Sequence, residues 1–305
     1  MKATLKGPQL SYVLVTPARN EEANIELTLK SVVQQTILPL KWVVVSDGST
    51  DRTDEIVASY AARHPWIDHI RLPERAVRDF AGKVGAFSAG YARAKDLTFD
   101  IVCSLDADIT FPEDYFEYLL DQFAADPQLG LAGTPYSEHG LVYDYRYSSV
   151  EHVSGACQLF RRECYADIGG YVPVKGGGID DIAVLSARMK GWRTRTFLDR
   201  VCVHHRPMGS ANQRNRLAAS FKLGQHGYRL GYHPLWQIFR SAYQLTKPPY
   251  VTGGVALFAG YFWAMLRRVQ RPVSAEMVAF QQREQMRRLR GFVKARVTGG
   301  KAITS

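Results

Sequence analysis

The sequence predicts an α/β fold in which a mainly parallel sheet is covered by helices on both faces. Short apolar runs rich in Val alternate with segments whose apolar residues recur at helical spacing. Polar and acidic residues directly follow the predicted strands, which is where parallel sheets bind their ligands. A chain of 305 residues is long enough to bury a sizeable core under such a sheet.

The predicted elements fall into two halves that differ in the length of their segments. Up to residue 125 the predicted strands are 10–16, 42–46 and 100–105, and the helices are 22–35, 51–63, 81–95 and 112–125. Beyond residue 130 the segments are shorter, with strands at 152–160, 194–198 and 201–205 and a helix at 181–190, and we assign this half to the acceptor. A change of composition after residue 206 predicts a catalytic domain at 1–215 and a helical region at 216–305.

Charge and composition narrow the class of protein. With 46% hydrophobic and 22% charged residues, the chain resembles neither a disordered protein nor a multispan membrane protein. Ten Arg or Lys against two Glu in residues 267–301 account for most of the net charge of +10. Such an end binds nucleic acid or anionic lipid, and its apolar neighbours favour lipid, so we expect no nucleic-acid partner.

The four cysteines lie in or beside hydrophobic runs, without the paired spacing of zinc sites. We therefore expect reduced core thiols and a reducing compartment. The first residues lack the basic and apolar pattern of a secretory signal, so we expect a cytoplasmic location.

Two loops between a strand and a helix suit a nucleotide. Backbone amides at helix N-termini bind phosphate, and Asp47 after the second strand would accept hydrogen bonds from a base or ribose. Simple helix capping by Ser49, Thr50 and Asp51 is the alternative. The first loop supplies Thr16, Pro17, Ala18, Arg19, Asn20 and Glu21.

An acidic pair follows the predicted strand 100–105. Asp106 and Asp108 are separated by one small residue, and two such close anions repel unless a cation lies between them. A hard divalent ion, Mg²⁺ or Mn²⁺, would favour the arrangement and would neutralise a leaving diphosphate. A chance occurrence of two aspartates, or simple helix capping, is the alternative for this motif taken alone.

In order and spacing, these three motifs resemble those of the inverting glycosyltransferases of family 2, which have the GT-A fold. The motifs are the loop beginning at Thr16, the stretch Val44 to Asp51, and Leu105 to Asp108, and the resemblance covers residues 10–206. It implies that Asp47 contacts the base or ribose, that Gly82 and Lys83 lie beside the nucleotide, and that Asp106 and Asp108 face the metal.

The resemblance also implies a general base that takes the proton of the attacking acceptor hydroxyl. Family members have Glu-Asp before a helix and Gly some eleven residues after the Asp. In this chain that spacing selects Asp180 before Gly191, but Ile179 replaces the Glu. Asp181 therefore remains a competitor, and helix capping is a third possibility for either residue.

Two further motifs carry candidate ligands. His204 and His205 follow a strand and would add a nitrogen ligand to the metal or contact the diphosphate, unless they are ordinary polar surface. Arg214 and Arg216 would hold phosphate or lie on a solvated helix face. Their stretch resembles the Gln-x-x-Arg-Trp signature of processive synthases, but Leu217 replaces the Trp, which argues against processivity.

The C-terminal region predicts membrane association. Residues 248–266 carry no charge and are flanked by Lys247 and Arg267. We therefore expect them to lie in the membrane–water interface or to form a re-entrant segment. A basic amphipathic tail follows, suited to anionic lipid. A packed helix or a contact between copies in a homo-oligomer is the alternative.

Together these features predict an enzyme at the cytoplasmic face of the cell membrane. It would move one sugar, with inversion, from a nucleotide diphosphate sugar to a polyprenyl phosphate, a lipid-linked saccharide or an exopolysaccharide. The alternatives are a processive polysaccharide synthase subunit and a catalytically silent membrane scaffold with a nucleotide-binding fold.

Overall fold

The computed structural model describes residues 9–74, 80–138, 141–142, 149–174, 176–206 and 216–297. The chain divides into two compact units, Met1–Pro207 and Met208–Ser305. This division and the predicted boundary at residue 215 both fall in the stretch 207–215, outside the described residues.

The first unit is the α/β body. Its strands are β1 (Tyr12–Ala18), β2 (Lys41–Asp47), β3 (Ile67–Leu72), β4 (Ile101–Leu105), β5 (Ile109–Thr110), β6 (Leu129–Gly133), β7 (Tyr136–Glu138), β8 (Leu141–Val142), β9 (Cys157–Arg161), β10 (Arg193–Thr196) and β11 (Cys202–His204). Its helices are α1 (Ile25–Val33), α2 (Thr53–Ala61), α3 (Phe80–Ala94), α4 (Tyr115–Ala125), α5 (Arg162–Asp167) and α6 (Ile179–Met189).

The central sheet has seven strands in the order β10-β6-β9-β4-β1-β2-β3. Only β9 runs antiparallel to its neighbours β4 and β6, so the prediction of a mainly parallel sheet is confirmed. Because β4, β1 and β2 are adjacent and parallel, the loops that follow them lie at one edge of the sheet. This edge collects the three motifs that the sequence singled out.

Both faces of the sheet are buried, which explains the nearly continuous apolar runs of β1, β2 and β4. Val13 and Val15 face one core cluster with Phe87 of α3, while Leu14 faces the other with Trp42 and helices α1 and α4. The four cysteines are buried and free, as predicted for core thiols.

A smaller four-stranded sheet, in the order β5-β11-β7-β8, lies beside the acidic motif. Strand β5 begins at Ile109, directly after Asp108, and pairs antiparallel with β11 so that His204 is opposite Ile109. β7 pairs with the other side of β11. Residues almost 100 positions apart in sequence are thereby placed next to Asp108.

Several predicted boundaries differ from the structure. The strand predicted at 152–160 begins only at Cys157, because residues 152–156 form the loop that approaches α6. The elements of the first unit that were not predicted are strands β3, β5, β6, β7 and β8 and helix α5. The half-exposed side chains of β3 and the two glycines of β6 give weak strand patterns.

The second unit consists, in its described residues, of α7 (Arg216–Arg229), α8 (Pro234–Gln244), α9 (Thr252–Leu266) and α10 (Ala275–Val297). α7 and α9 cross at Gly224 and Gly260. A methyl group at Gly260 would overlap the carbonyl oxygen of Phe221, so the two backbones are in contact there. Among the described helices, none combines the length and apolar character that a bilayer crossing needs.

Candidate active site

The loops after β1 and β2 are joined by hydrogen bonds. Asn20, at φ 54°, accepts a hydrogen bond from the backbone N–H of Thr50 at 2.8 Å and donates its own N–H to the Ser49 hydroxyl at 3.1 Å. Gly48, at φ 67°, has no room for a side chain because a Cβ would lie 2.5 Å from the Cα of Glu74. Of the three residues offered as helix caps, Asp51 accepts the backbone N–H of Thr53 at the start of α2 at 3.0 Å, whereas Ser49 and Thr50 bond to Asn20 and join the two loops.

The predicted nucleotide-binding residues of these loops differ in exposure. The hydroxyl of Thr16 is fully buried and accepts the indole N–H of Trp42 at 3.0 Å, so its side chain supports the sheet. Ala18, Glu21 and Asp47 are also buried, whereas Pro17 and Arg19 are partly exposed and Asn20 is exposed.

Glu21 forms an ion pair with Arg206. Its backbone N–H donates to the Thr53 hydroxyl at 2.8 Å, which joins the first loop to the start of α2. The Arg206 guanidinium also lies 3.9 Å from Asp108, measured from Nε to Oδ2. Arg206 therefore joins the first loop to the acidic motif.

Lys83 projects from the first turns of α3 to the acidic motif and forms an ion pair with Asp106. Burial raises the pKa of Asp106, and Asp108 raises it further, while Lys83 acts in the opposite direction. Burial lowers the pKa of Lys83, but Asp106, together with smaller contributions from Asp180 and Asp108, more than offsets burial, so the pKa is raised. Lys83 is thus held as a cation among three carboxylates, next to the buried Gly82.

Asp108 is almost fully buried and faces His204 of β11. Its Oδ1 lies 3.4 Å from His204 Nε2, while His204 Nδ1 lies 2.9 Å from Oε1 of Glu138 on β7. Burial lowers the pKa of His204, but the hydrogen bonds to Asp108 and Glu138 outweigh it and raise the pKa to about 9.

The ring of His205 contacts Thr110 and not a carboxylate of the acidic motif. Its ring Nε2 lies 2.9 Å from the hydroxyl of Thr110, and its backbone N–H donates to the carbonyl of Asp108 at 2.9 Å. Of the two predicted histidines, the structure places the ring of His204 beside an aspartate of the motif.

The residues around Asp108 fit a divalent cation in chemistry. Carboxylate oxygen and imidazole nitrogen are donors that Mn²⁺ accepts, and Mg²⁺ prefers the oxygens. Two ligands about 2.1 Å from one ion and at right angles are roughly 3 Å apart, close to the separation of Asp108 and His204. Among the described residues no set of three His, Cys, Asp or Glu side chains has the arrangement of a complete metal site. A metal held here needs further ligands, such as the oxygens of a diphosphate.

The two candidate bases lie at the N-terminus of α6. Asp180 accepts the backbone N–H of Gly155 at 3.2 Å, and burial together with Asp181 raises its pKa, against His152 and Lys83. Asp181 lies 3.3 Å from the ring of His152. Gly178, at the N-cap position of α6, has φ 86° and no side chain that could cap the helix.

The two arginines predicted to hold phosphate stay predictions. Arg214 lies outside the described residues. Arg216 is the exposed first residue of α7 and belongs to the second unit.

Three contributors to the site were missed in the sequence. Glu138 lies on a three-residue strand, and Arg206 and His152 stand in loops, so no local pattern marks them. For Arg206 alone, its place directly after His204 and His205 was a signal that could have been used. Pairing of β7 and β5 with β11 brings Glu138 and His204 to the acidic motif.

Comparison with curated proteins gives related sequences of known name. The 4,4'-diaponeurosporenoate glycosyltransferase of Staphylococcus aureus (strain bovine RF122 / ET3-1) is 34% identical over 208 residues, covering 60% of this chain and 52% of that protein. The poly-beta-1,6-N-acetyl-D-glucosamine synthase of S. aureus (strain COL) is 27% identical over 170 residues, covering 49% and 39%. The chain spans about half the length of the first relative and less of the second.

Solved structures show the same fold. The mannosyltransferase PcManGT from Pyrobaculum calidifontis, in complex with GDP-Man and Mn²⁺, has a TM-score of 0.55 at 23% identity and covers 90% of this chain and 73% of its own. S. aureus TarS 1-349 in complex with UDP-GlcNAc has a TM-score of 0.53 at 13% identity, with coverage of 89% and 78%. The predicted GT-A fold is thereby confirmed.

The model of the family described as glycosyl transferase family 2 matches residues 13–173. This range is more than half of the chain and contains the loops after β1, β2 and β4 with both aspartates of the acidic motif. The chain therefore belongs to glycosyl transferase family 2.

Proposed function

We propose that this protein is a metal-dependent, inverting glycosyltransferase that moves a single sugar from a nucleotide diphosphate sugar to a membrane-borne acceptor. The observation that carries the proposal is the cluster around Lys83. Its ammonium group is paired with Asp106 and lies within electrostatic range of Asp108 and Asp180. Predicted metal-binding, nucleotide-binding and base residues from three separate segments therefore lie near one cation.

The donor is held at the edge formed by the β1, β2 and β4 loops. Asp108 and His204 would hold Mn²⁺ or Mg²⁺, and Asp106 would complete the carboxylate pair. Bound there, the ion would neutralise charge that grows on the diphosphate as the bond to the sugar breaks. Complexes of solved structures with this fold, one with GDP-Man and Mn²⁺ and one with UDP-GlcNAc, support a nucleotide sugar as donor.

Asp180 is the base that we favour. In an inverting step the acceptor oxygen attacks the anomeric carbon, its proton passes to the carboxylate of Asp180, and the nucleotide diphosphate leaves with the bonding electrons. Asp180 lies within range of Lys83, whereas Asp181 is held by His152. The raised pKa of Asp180 makes its ionised carboxylate a stronger proton acceptor.

The acceptor is proposed to be membrane-borne, such as a polyprenyl phosphate, a lipid-linked saccharide or a growing exopolysaccharide, at the cytoplasmic face of the membrane. The described part of the second unit, 216–297, carries fourteen Lys or Arg against two Glu, beside the uncharged stretch 248–266. That combination suits anionic lipid.

The proposal is tested by incubating the purified chain with a panel of nucleotide sugars, with and without Mn²⁺ and membrane lipid. Release of nucleotide diphosphate that needs metal is the expected result. No release from any donor would contradict the proposal, and an absence of metal-dependent nucleotide affinity would indicate a silent scaffold.

A processive polysaccharide synthase is the second candidate, because one relative is named as a poly-beta-1,6-N-acetyl-D-glucosamine synthase. Leu217, at the position where processive enzymes carry Trp, is exposed near the start of α7 and argues for single transfer. Product length distinguishes the two, since a synthase makes polymers and a single transferase adds one sugar.

A further inference from the structure

One side of α9 and of the turn before it carries a row of exposed apolar side chains. Its members recur at intervals of three to five residues, and the last of them, Leu266, is 79% exposed. We call this set the α9 row: Val251, Val255, Phe258, Trp263 and Leu266. The opposite side of the helix is buried, through Gly253, Leu257, Gly260, Tyr261 and Ala264. α9 is therefore apolar on both sides.

This distribution is not that of a helix facing water. A surface helix ordinarily turns polar residues outward, and a helix that is apolar all round is covered on every side. The buried side of α9 is already used, because Gly260 contacts the backbone of Phe221 in α7 and Gly254 contacts Ser241 in α8. The α9 row needs a separate occupant.

α8 and α9 form an antiparallel hairpin. The side chain of Gln237, early in α8, lies 3.4 Å from the carbonyl oxygen of Leu257, whereas Ser241, later in α8, contacts Gly254 near the start of α9. α8 has its own exposed apolar positions at intervals of three and four: Leu235, Ile238, Ala242 and Leu245. The turn between the helices adds the exposed Tyr250.

Positive charge surrounds this apolar surface. Lys247 precedes α9, Arg267 and Arg268 follow it directly, and no charged residue occurs between them. The guanidinium of Arg267 lies over the ring of Trp263, 5.9 Å from its centroid. A second copy of the chain would bring the same positive rim against itself, whereas anionic lipid headgroups complement it.

We propose that the α8–α9 hairpin docks on an anionic lipid leaflet, with the α9 row in the acyl boundary and its flanking cations at the level of the phosphates. The inference rests on the proposed function, which already requires a membrane-borne acceptor, and it assigns the lipid contact to the α8–α9 hairpin through the α9 row. Segments that lie in the membrane interface bind by this combination of apolar burial and charge attraction.

The first test is flotation of the purified full chain with vesicles of phosphatidylcholine alone or mixed with phosphatidylglycerol. We expect binding to the mixed vesicles, and a fall of roughly tenfold or more in the partition coefficient for Val255→Glu/Leu266→Glu. The matched control is Leu40→Glu/Leu198→Glu, which changes two comparably exposed leucines of the first unit and should bind as the wild type does. Equal binding of both double variants would overturn the proposal.

A second measurement does not depend on the folding of a charged variant. Lipids brominated on their acyl chains should quench part of the tryptophan fluorescence of the vesicle-bound wild type, and Trp263→Phe should remove most of that quenching. Quenching that persists unchanged in Trp263→Phe would overturn the proposed face. Failure to bind vesicles, with a concentration-dependent dimer that Val255→Glu/Leu266→Glu dissociates, would assign the α9 row to a second copy instead.

Failure of the docking surface and failure of the proposed function give different results. Nucleotide release from a sugar donor in the absence of vesicles depends on the first unit and should be unchanged in Val255→Glu/Leu266→Glu. A wild type that binds vesicles but releases no nucleotide would retain the docking surface and lose the function. A wild type that transfers sugar without binding vesicles would retain the proposed function and lose the docking surface.

Discussion

His204 donates its Nδ1–H to the carboxylate of Glu138 at 2.9 Å, which turns its other ring nitrogen to Asp108. A carboxylate behind an imidazole fixes the orientation of the ring and increases its basicity as a ligand. The hydrogen bond between Glu138 and His204 links β7 to β11. The small second sheet thereby orients Nε2 of His204 towards the acidic motif. Glu138 is therefore a positioning residue for the proposed metal.

Replacing this carboxylate should weaken metal binding. Glu138→Gln retains the size of the side chain but removes its charge, and we expect a fall of about 10- to 100-fold in Mn²⁺ affinity, measured by calorimetry in the presence of nucleotide diphosphate. Glu163→Gln, at an exposed position on α5, is the control. Equal affinity in both variants would show that Glu138 does not position a ligand.

Metal affinity should also depend on pH through His204. The pKa of His204 in the metal-free protein is raised to about 9, so the ring is protonated at pH 7 and must lose its proton to bind a metal. Mn²⁺ affinity should therefore rise by roughly tenfold per pH unit from pH 7 and level off above pH 9. His204→Gln should remove most of this slope, and a flat profile in the wild type would exclude the ring as a ligand.

The choice between the two candidate bases predicts unequal effects of two similar substitutions. Asp180→Asn should lower kcat by about 10²- to 10⁴-fold with little change in donor affinity, because it removes the proton acceptor but not the nucleotide contacts. Asp181→Asn, one position along the same helix, should lower kcat much less. Single-turnover kinetics with saturating donor checks both, and a larger loss in Asp181→Asn would reverse the assignment.

The crossing of α7 and α9 predicts a difference in stability between two glycines. Gly260→Ala places a methyl group against the Phe221 carbonyl and should lower the free energy of unfolding by about 2 kcal/mol or more. Gly291→Ala, in α10 with open space around it, should raise it by about 0.5 kcal/mol. Urea denaturation compares the two, and equal effects would contradict a backbone contact at Gly260.

The parts of the fold that could be predicted are those whose residues form a local hydrophobic pattern. The runs of Val in β1 and β2 and the apolar strand before Asp106 identify strands buried on both faces, and their polar ends locate the ligand edge. Strand β3 was not predicted because its side chains alternate only weakly at the sheet edge.

The candidate site was predictable in its carboxylates and less so in their partners. The pairing of Lys83 with Asp106 was not predicted, although Lys83 itself was singled out by family resemblance. The contacts of Glu138 and Arg206 arise from tertiary pairing of short strands and loops, which leaves no periodic signal in the sequence. The burial of the Thr16 hydroxyl beneath Trp42 could not be predicted from the sequence either, because it depends on the register between β1 and β2.

The most direct measurement is calorimetric binding of nucleotide diphosphates with and without Mn²⁺, in the wild type, Asp108→Asn and Asp96→Asn. Asp96 is exposed after α3, so its variant controls for loss of one negative charge. We expect affinity that depends on Mn²⁺ in the wild type and in Asp96→Asn, and its loss in Asp108→Asn. Affinity that ignores Mn²⁺ in all three proteins, or survives intact in Asp108→Asn, would contradict a metal held at the acidic motif.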